Sequence, residues 1–257
     1  MNQNERRQFL IRRLLDERAD CRGAEIPRSE TEQRQLLRGL MNVRLPAPAD
    51  ADFLRVQDEY LRTVREEKGV VTLSDIAFDS EGLGIWRGDI TRLAVDAIVN
   101  AANSGMTGCY VANHTCIDNC VHTFSGIQLR LKCAEMMDAQ GYEEPTGQAK
   151  ITPAYNLPSK YVIHTVGPIV DGALTQEHRE LLASSYRACL DIAAENECDS
   201  IAFCCISTGV FGFPKQAAAE IAVQTVKDWK IGKNSAIKVI FNVFGDENLA
   251  IYRRILQ

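Results

Sequence analysis

The sequence has 257 residues, of which 46% are hydrophobic and 25% charged, so it is long and apolar enough to bury one sizeable core. Its net charge of −5 excludes the strongly basic surface on which nucleic-acid binding depends. No run approaches the roughly 20 apolar residues that cross a membrane, and the N-terminus lacks the apolar block of a signal peptide. We therefore expect a soluble cytoplasmic protein without a nucleic-acid or membrane partner.

Residues 1–70 are predicted to be helical throughout. Apolar residues recur at helical spacing in three segments, around residues 9–15, 36–40 and 53–61. Ser29 and Glu32 form an S-x-x-E capping box ahead of the second segment. This helical N-terminal extension carries 14 Lys and Arg against 13 Asp and Glu, which indicates a solvated, self-compensated surface. We expect it to cover an edge or an apolar face of the rest of the chain, with partner binding as the alternative.

From residue 71 onwards, short apolar runs alternate with longer amphipathic segments. Five runs predict buried strands: GIWRG, DAIVN, YVIHTV, SIAFCC and AIKVIFNVF. Helices are predicted at about 116–139, 176–196, 214–229 and 246–256. This alternation predicts an α/β domain over residues 71–257, with a largely parallel sheet between helices on both faces. In such domains, ligands bind at the carboxyl ends of the strands.

Three loops that follow predicted strands have unusual compositions. Asp89 and Ile90 follow the first strand, where an Asp also serves to cap a turn. Asn100 and Asn103 follow the second; their amides suit sugar hydroxyls but also favour turns. The segment STGVFGFP, residues 207–214, precedes a predicted helix, and its backbone N–H groups suit an anion. It matches neither a P-loop nor a dinucleotide-binding fingerprint.

Taken together and in order, these motifs resemble those of the macrodomain family. The segments are GDIT, DAIVNAAN, YVIHTVGP, STGVFGFP and VFGDENLAIY, and they span nearly all of residues 71–257. The resemblance implies a three-layer α/β/α domain, with a mixed, largely parallel central sheet, that binds ADP-ribose.

The resemblance also implies roles for residues at matching positions. Asp89 would bind the adenine amino group, Ile90 would line that pocket and Phe244 would stack on adenine. Asn100 and Asn103 would face the distal ribose. Backbone amides would wrap the diphosphate in the loop made by Ser207, Thr208, Gly209, Val210, Phe211 and Gly212.

Cys109, His114 and Cys116 lie within eight residues, directly after the Asn103 loop. They are ligand types that zinc prefers, and three ligands leave one coordination position open. The alternative is that the cysteines are ordinary buried residues and His114 is an incidental loop residue. The segment GCYVANHTCIDN resembles the zinc-containing branch of macrodomains, although Ala112 stands where that pattern has a proline. This likeness implies a microbial hydrolase of protein-linked ADP-ribose that carries a helical N-terminal extension.

The other cysteines and histidines are predicted to be structural. There are nine cysteines, an odd number in a chain too large to need disulfides, so we expect free thiols. Cys120 is expected to pack in the core, with a fourth metal ligand as the alternative. His122 and His164 are expected to pack in a helix and a strand. Cys204 and Cys205 are expected to be buried strand residues.

The resulting functional prediction is a zinc-dependent hydrolase, of glycosidase or esterase type, acting on mono-ADP-ribosylated proteins. Zinc is its expected cofactor, and ADP-ribose and the modified protein are its expected partners, with the chain acting as a monomer. Asn103 would orient the ribose. Asp118 would act as general base or support a ligand, although an Asp near a helix start is equally a cap. The alternatives are a reader module that binds ADP-ribose without cleaving it, and a hydrolase of another ADP-ribose derivative.

Overall fold

A bundle of helices precedes an α/β unit in the computed structural model, which describes residues 1–21 and 23–257. The α-helices are α1 Gln3–Asp16, α2 Glu30–Val43, α3 Ala51–Lys68, α4 Ile117–Ser125, α5 Ile127–Gln140, α6 Gln176–Glu195, α7 Lys215–Lys233 and α8 Asp246–Leu256. The strands are β1 Val71–Thr72, β2 Leu83–Arg87, β3 Leu93–Ala94, β4 Ala97–Ala101, β5 Ala149–Pro153, β6 Tyr161–Thr165, β7 Ser200–Phe203 and β8 Lys238–Val243.

The predicted helical extension consists of α1, α2 and α3. Their N-termini are capped by Asn2, Ser29 and Asp50, whose side chains accept hydrogen bonds from first-turn N–H groups. The apolar faces of the three helices form a core of their own, which Ile127 of α5 joins. The extension thus shares a buried apolar surface with the α/β unit. The domain boundary predicted at residue 70 falls between α3 and β1.

Six strands form the central sheet, in the order β2-β8-β7-β4-β6-β5. All neighbouring pairs are parallel except β5 and β6, which are antiparallel. The five predicted strands are confirmed, but the prediction missed β5 and the two-residue pair β1 and β3. The sequence of β5 is AKITP, whose Lys and Pro are compatible with a half-buried edge strand and not with a continuous apolar run.

Helices cover both faces of this sheet. From β4 the chain passes through α4, α5 and the edge strand β5 to β6, which lies on one side of β4 in the sheet. The connections through α6 and α7 then lead in the opposite direction, to β7 and β8 on the other side of β4. Because parallel crossovers are right-handed, α4 and α5 lie on one face and α6 and α7 on the other. The extension contacts α4, and α8 contacts α7. The predicted three-layer α/β/α architecture with a mixed, largely parallel sheet is confirmed.

The single helix predicted over 116–139 is wrong, because it is two helices. Gly126 separates α4 from α5 and has a φ of 100°, a left-handed value that an α-helix does not contain. A Cβ at this position would lie 2.7 Å from Nε2 of Gln57 in α3. The break is therefore a site where the extension approaches the backbone of the α/β unit.

None of the helices in the described part of the chain combines the length and apolar character of a membrane-spanning segment. All nine cysteines have free thiols, as expected.

Candidate functional site

The candidate site lies where four neighbouring parallel strands end. Asp89 follows β2, Asn103 follows β4, Ser207 follows β7 and Phe244 follows β8. These four strands are adjacent in the sheet and point the same way. Their carboxyl ends therefore meet at one edge, and the loops predicted to bind one ligand lie along it.

The three predicted metal ligands meet in space. Sγ of Cys109 lies 3.5 Å from Nδ1 of His114, and these atoms lie within 4.8 Å of one another and of Sγ of Cys116. Zinc bonds of about 2.0–2.3 Å require donor atoms roughly 3.5 Å apart in a tetrahedral site. The donor set therefore fits a zinc ion with only small movements of half-buried side chains.

Local backbone structure holds this metal loop, residues 109–116, in place. Cys116 caps α4, since its Sγ accepts a hydrogen bond from the N–H of Asn119 at 3.4 Å. Gly108, with a φ of 87°, directly precedes the loop and packs against the ring of His122, which a Cβ would approach to 2.9 Å. Burial raises the pKa of the Cys116 thiol to about 11, although the Asn119 N–H acts in the opposite direction. Thiolate ligation therefore depends on the compensating charge of a cation.

Asn103 ties the metal loop to the end of β4. Its Nδ2 donates to the carbonyl of Gly108 at 3.1 Å, and its Oδ1 accepts from the N–H of Gly105 at 3.0 Å. The side chain is exposed, so it is accessible to a ligand in the adjoining cleft.

Beneath the metal loop lies a buried polar network centred on Asn100. Its Nδ2 donates to Oδ1 of Asp118 at 2.8 Å and lies 3.2 Å from Nδ1 of His164. Among the described residues, Oδ1 of Asn100 has no hydrogen-bond partner. Burial raises the pKa of Asp118 to about 6, against the opposing effect of the Asn100 hydrogen bond. Since Cys116 caps α4, Asp118 does not have the alternative capping role.

Asp89 lies at the other end of this row of strand ends, and two neighbouring side chains bond to its carboxylate. Its Oδ1 accepts from the N–H and hydroxyl of Thr91, which is the capping role, and its Oδ2 pairs with Nζ of Lys68 at 2.9 Å. Burial favours a higher pKa for Asp89, but the bonds from Thr91 and Lys68 outweigh it and lower the pKa. Ile90 is buried in the core, whereas the Phe244 side chain is 79% exposed and free to stack on a planar group.

The 207–212 loop connects β7 to the helix start at Pro214. Ser207 has a φ of 63° and Gly212 a φ of 69°, and a Cβ on Gly212 would lie 2.9 Å from the carbonyl of Val170. A Cβ on Gly209 would meet nothing within 4 Å. Within the described part of the chain, we find no acceptor for the N–H groups of Gly209, Val210 and Phe211. Free N–H groups beside a helix N-terminus suit an anion.

Comparison with known proteins identifies the family. Residues 99–222 match the family model of the Macro domain. The chain is 58% identical over 261 residues to the protein-ADP-ribose hydrolase of Treponema medium, with 100% of each chain covered. It is 46% identical over 250 residues to the protein-ADP-ribose hydrolase of Staphylococcus aureus strain MSSA476, covering 96% of this chain and 94% of that one.

The chain belongs to the macrodomain family. Solved structures agree: the Trypanosoma brucei macrodomain in complex with ADP-ribose has a TM-score of 0.67 at 26% identity, covering 90% of this chain and 97% of that chain. The Oceanobacillus iheyensis macrodomain with ADP has a TM-score of 0.62 at 36% identity, covering 70% of this chain and 93% of that chain. The full coverage of the Treponema relative extends the similarity across the N-terminal helices.

The remaining cysteines and histidines of this macrodomain depart in part from expectation. Cys120 neither packs in the core nor joins the metal cluster, because its Sγ faces the extension, 3.5 Å from Nη2 of Arg38. Cys204 and Cys205 follow β7, which ends at Phe203, and Cys205 is only half-buried.

His122 and His164 are buried, as expected. Together with Cys133 they form a second cluster whose ring nitrogens and Sγ lie within 4.8 Å of one another. Thr152 Oγ1 lies 3.0 Å from Nε2 of His164, so this cluster continues the polar network below Asn100.

Sequence reasoning missed the contribution of the extension to the site. Lys68 at the end of α3 pairs with Asp89, and Arg38 and Asn42 of α2 contact the metal loop. These residues lie in segments whose charge pattern is that of a solvated surface, so the sequence carries no signal that would have found them.

Proposed function

We propose that this macrodomain is a zinc-dependent hydrolase that releases mono-ADP-ribose from modified proteins. The observation that carries the proposal is the Cys109, His114 and Cys116 cluster, whose donor atoms lie within 4.8 Å of one another beside the exposed Asn103. The printed names of the Treponema and Staphylococcus relatives, protein-ADP-ribose hydrolase, support the reaction. Zinc rests on the chemistry of the donor set.

ADP-ribose binds, in this proposal, along the carboxyl ends of β2, β8, β7 and β4. The Asp89 carboxylate accepts a hydrogen bond from the adenine amino group, and Phe244 stacks on the ring. The diphosphate lies on the 207–212 loop, whose N–H groups and adjoining helix N-terminus favour negative charge. This order of subsites directs the distal ribose towards Asn103 and the metal loop.

Cys109, His114 and Cys116 would hold the zinc ion, and three protein ligands would leave one coordination position open. Bound there, zinc would supply a Lewis acid next to the scissile bond. Asn103 orients the ribose through its amide. Hydrolysis breaks the bond between ADP-ribose and the acceptor side chain, and water supplies a hydroxyl group to one product and a proton to the other.

Asp118 has a supporting role in this proposal. Its carboxylate is buried and bonded to Asn100, so it anchors the first turn of α4, which Cys116 caps, to the end of β4. A general base has to reach the water that it activates, and the burial of Asp118 speaks against direct contact with substrate.

The competing function is a reader module that binds ADP-ribose and leaves it attached. Such a module uses Asp89, Phe244 and the 207–212 loop but has no need of clustered metal ligands. A hydrolase of a different ADP-ribose derivative would act on the small molecule and leave modified protein unchanged.

The deciding experiment measures ADP-ribose release from mono-ADP-ribosylated protein together with the zinc content of each sample. Wild type is compared with Cys109→Ala and His114→Ala, and Cys120→Ala serves as the control because its thiol lies outside the cluster. We expect both ligand variants to lose zinc and turnover while they retain ADP-ribose binding, and the control to keep all three. Wild-type protein that binds ADP-ribose but releases none would establish the reader module instead.

A further inference from the structure

The metal loop is bonded to helix α2 of the N-terminal extension. Oδ1 of Asn42 accepts from the N–H of Asn113 at 2.9 Å, and Nδ2 of Asn42 donates to Oγ1 of Thr123 in α4 at 2.7 Å. Nη2 of Arg38 donates to the carbonyl of His114 at 2.8 Å. The contacts with Asn113 and His114 lie within the metal loop. The contact with Thr123 lies in α4, the helix that Cys116 caps.

Asn113 has a φ of 58°, a left-handed conformation that residues other than glycine seldom adopt. This conformation sets the direction of the backbone immediately before His114, so the orientation of the His114 side chain depends on it. Its N–H is satisfied by Asn42, which is 1% exposed and therefore cannot be replaced by bulk water without a rearrangement.

Gly39 explains how α2 comes so close to the loop. A Cβ at this position would lie 3.2 Å from Nδ2 of Asn113 and 3.6 Å from Cβ of Ala112. A glycine in a helix interior is less favourable than an alanine, but here it permits the helix backbone to pack directly on the metal loop.

Arg130 of α5 also joins α2 to the chain just before the metal loop. Its Nε donates to the carbonyl of Thr107, just before the loop, at 2.8 Å. Its Nη1 donates to the carbonyls of Met41 and Asn42 at 3.2 and 2.8 Å, at the C-terminal end of α2. A buried guanidinium thus satisfies the last carbonyls of α2 and joins them to Thr107, two residues before the loop.

We propose that α2 sets the geometry of the metal loop, with Asn42 as a positioning residue that controls zinc affinity without contacting the ion. The inference rests on the proposed zinc site. Three protein ligands gain affinity when their positions are fixed before the ion arrives, and hydrogen bonds behind metal ligands are worth about 10–100-fold in metal affinity. The extension is then a part of the site as well as a cover for an apolar face.

The test uses the full chain and measures zinc affinity by competition with a chelator, alongside ADP-ribose affinity and thermal unfolding. Asn42→Ala is expected to bind zinc about 10–100-fold more weakly while its ADP-ribose affinity stays at the wild-type value. Asn42→Asp keeps the acceptor for the Asn113 N–H and is expected to recover most of the zinc affinity. Should Asn42→Ala fail to fold, Arg38→Met removes the bond to His114 from a half-buried position and carries the same expectation.

The matched control is Gln57→Ala. Gln57 is fully buried, accepts from the N–H of Ile127 at 3.0 Å and donates to Gln128 at 2.7 Å, so it also joins the extension to the α/β unit, away from the loop. Its loss should lower stability and leave zinc affinity unchanged. Equal zinc affinity in wild type and Asn42→Ala, or equal weakening in Gln57→Ala, overturns the inference. Wild-type protein that binds no zinc instead overturns the proposed function on which it rests.

Discussion

Replacing Gly209 with valine separates ligand binding from folding. A Cβ at Gly209 meets no heavy atom within 4 Å, and its φ lies outside the left-handed region. The side chain should therefore enter open space, and the free energy of unfolding should change by no more than about 0.5 kcal/mol. The same space is where the proposed diphosphate approaches the loop, so the isopropyl group would displace it.

The expected loss of affinity follows from the donors of the loop. The N–H groups of Gly209, Val210 and Phe211 have no acceptor among the described residues and are proposed to bind the diphosphate. A hydrogen bond to a charged group contributes about 1.5–3 kcal/mol. Losing two of them costs about 3–6 kcal/mol, which corresponds to at least ~100-fold weaker binding.

Isothermal titration with ADP-ribose and thermal unfolding of the same samples check this prediction. Gly232→Val is the control, since a Cβ at Gly232 in α7 also meets nothing within 4 Å and lies outside the site. ADP-ribose affinity of Gly209→Val within about threefold of wild type would refute the placement of the diphosphate, since one lost bond alone predicts a larger effect. A large loss of thermal stability would contradict the open position of Gly209.

Three further predictions concern other parts of the molecule. Burial lowers the pKa of His164 to about 4, so as pH falls from about 6.5 the unfolded state gains a proton that the folded state does not. His164 should therefore contribute a decline in stability of about 1.4 kcal/mol per pH unit, in addition to the contributions of His122 and Asp118, whose pKa values burial lowers and raises respectively. Denaturant unfolding of wild type and His164→Gln at pH 7 and pH 5 measures this contribution. An equally steep decline in the variant would show that groups other than His164 cause it. Lys68→Met removes one of the groups that lower the pKa of Asp89, so ADP-ribose binding should fail at a higher pH than in wild type when titrated into the acid range; an unchanged pH dependence would exclude Asp89 as the adenine acceptor. Phe244→Ala should weaken ADP-ribose binding by about 1–3 kcal/mol with little change in unfolding temperature, and unchanged binding would remove Phe244 from the site.

Much of the sheet was predictable because its inner strands are covered on both faces. The runs DAIVN and SIAFCC have the continuous apolar stretches AIV and IAFCC inside their polar ends, as is typical of a strand buried on both faces. The edge strand β5 was missed because only one of its five residues is buried, so it has no continuous apolar run. The break at Gly126 was missed because Gln57, a residue remote in sequence, occupies the space beside it.

The clustering of the three predicted metal ligands was predictable for a different reason. Cys109, His114 and Cys116 are so close in sequence that a short loop can bring them together, although α2 contacts that loop. Asn42 and Lys68 offered no comparable signal, since their contacts arise only when α2 and α3 dock on the α/β unit. Cys120 was misjudged because the position of α2 decides which face of α4 is buried.

The most direct test of the account is to titrate zinc into metal-free protein and to measure ADP-ribose release from mono-ADP-ribosylated protein against the zinc bound. Since three ligands make one site, release should rise in proportion to bound zinc and level off at about one ion per chain. Full turnover by the metal-free protein would contradict the proposed role of the Cys109, His114 and Cys116 cluster.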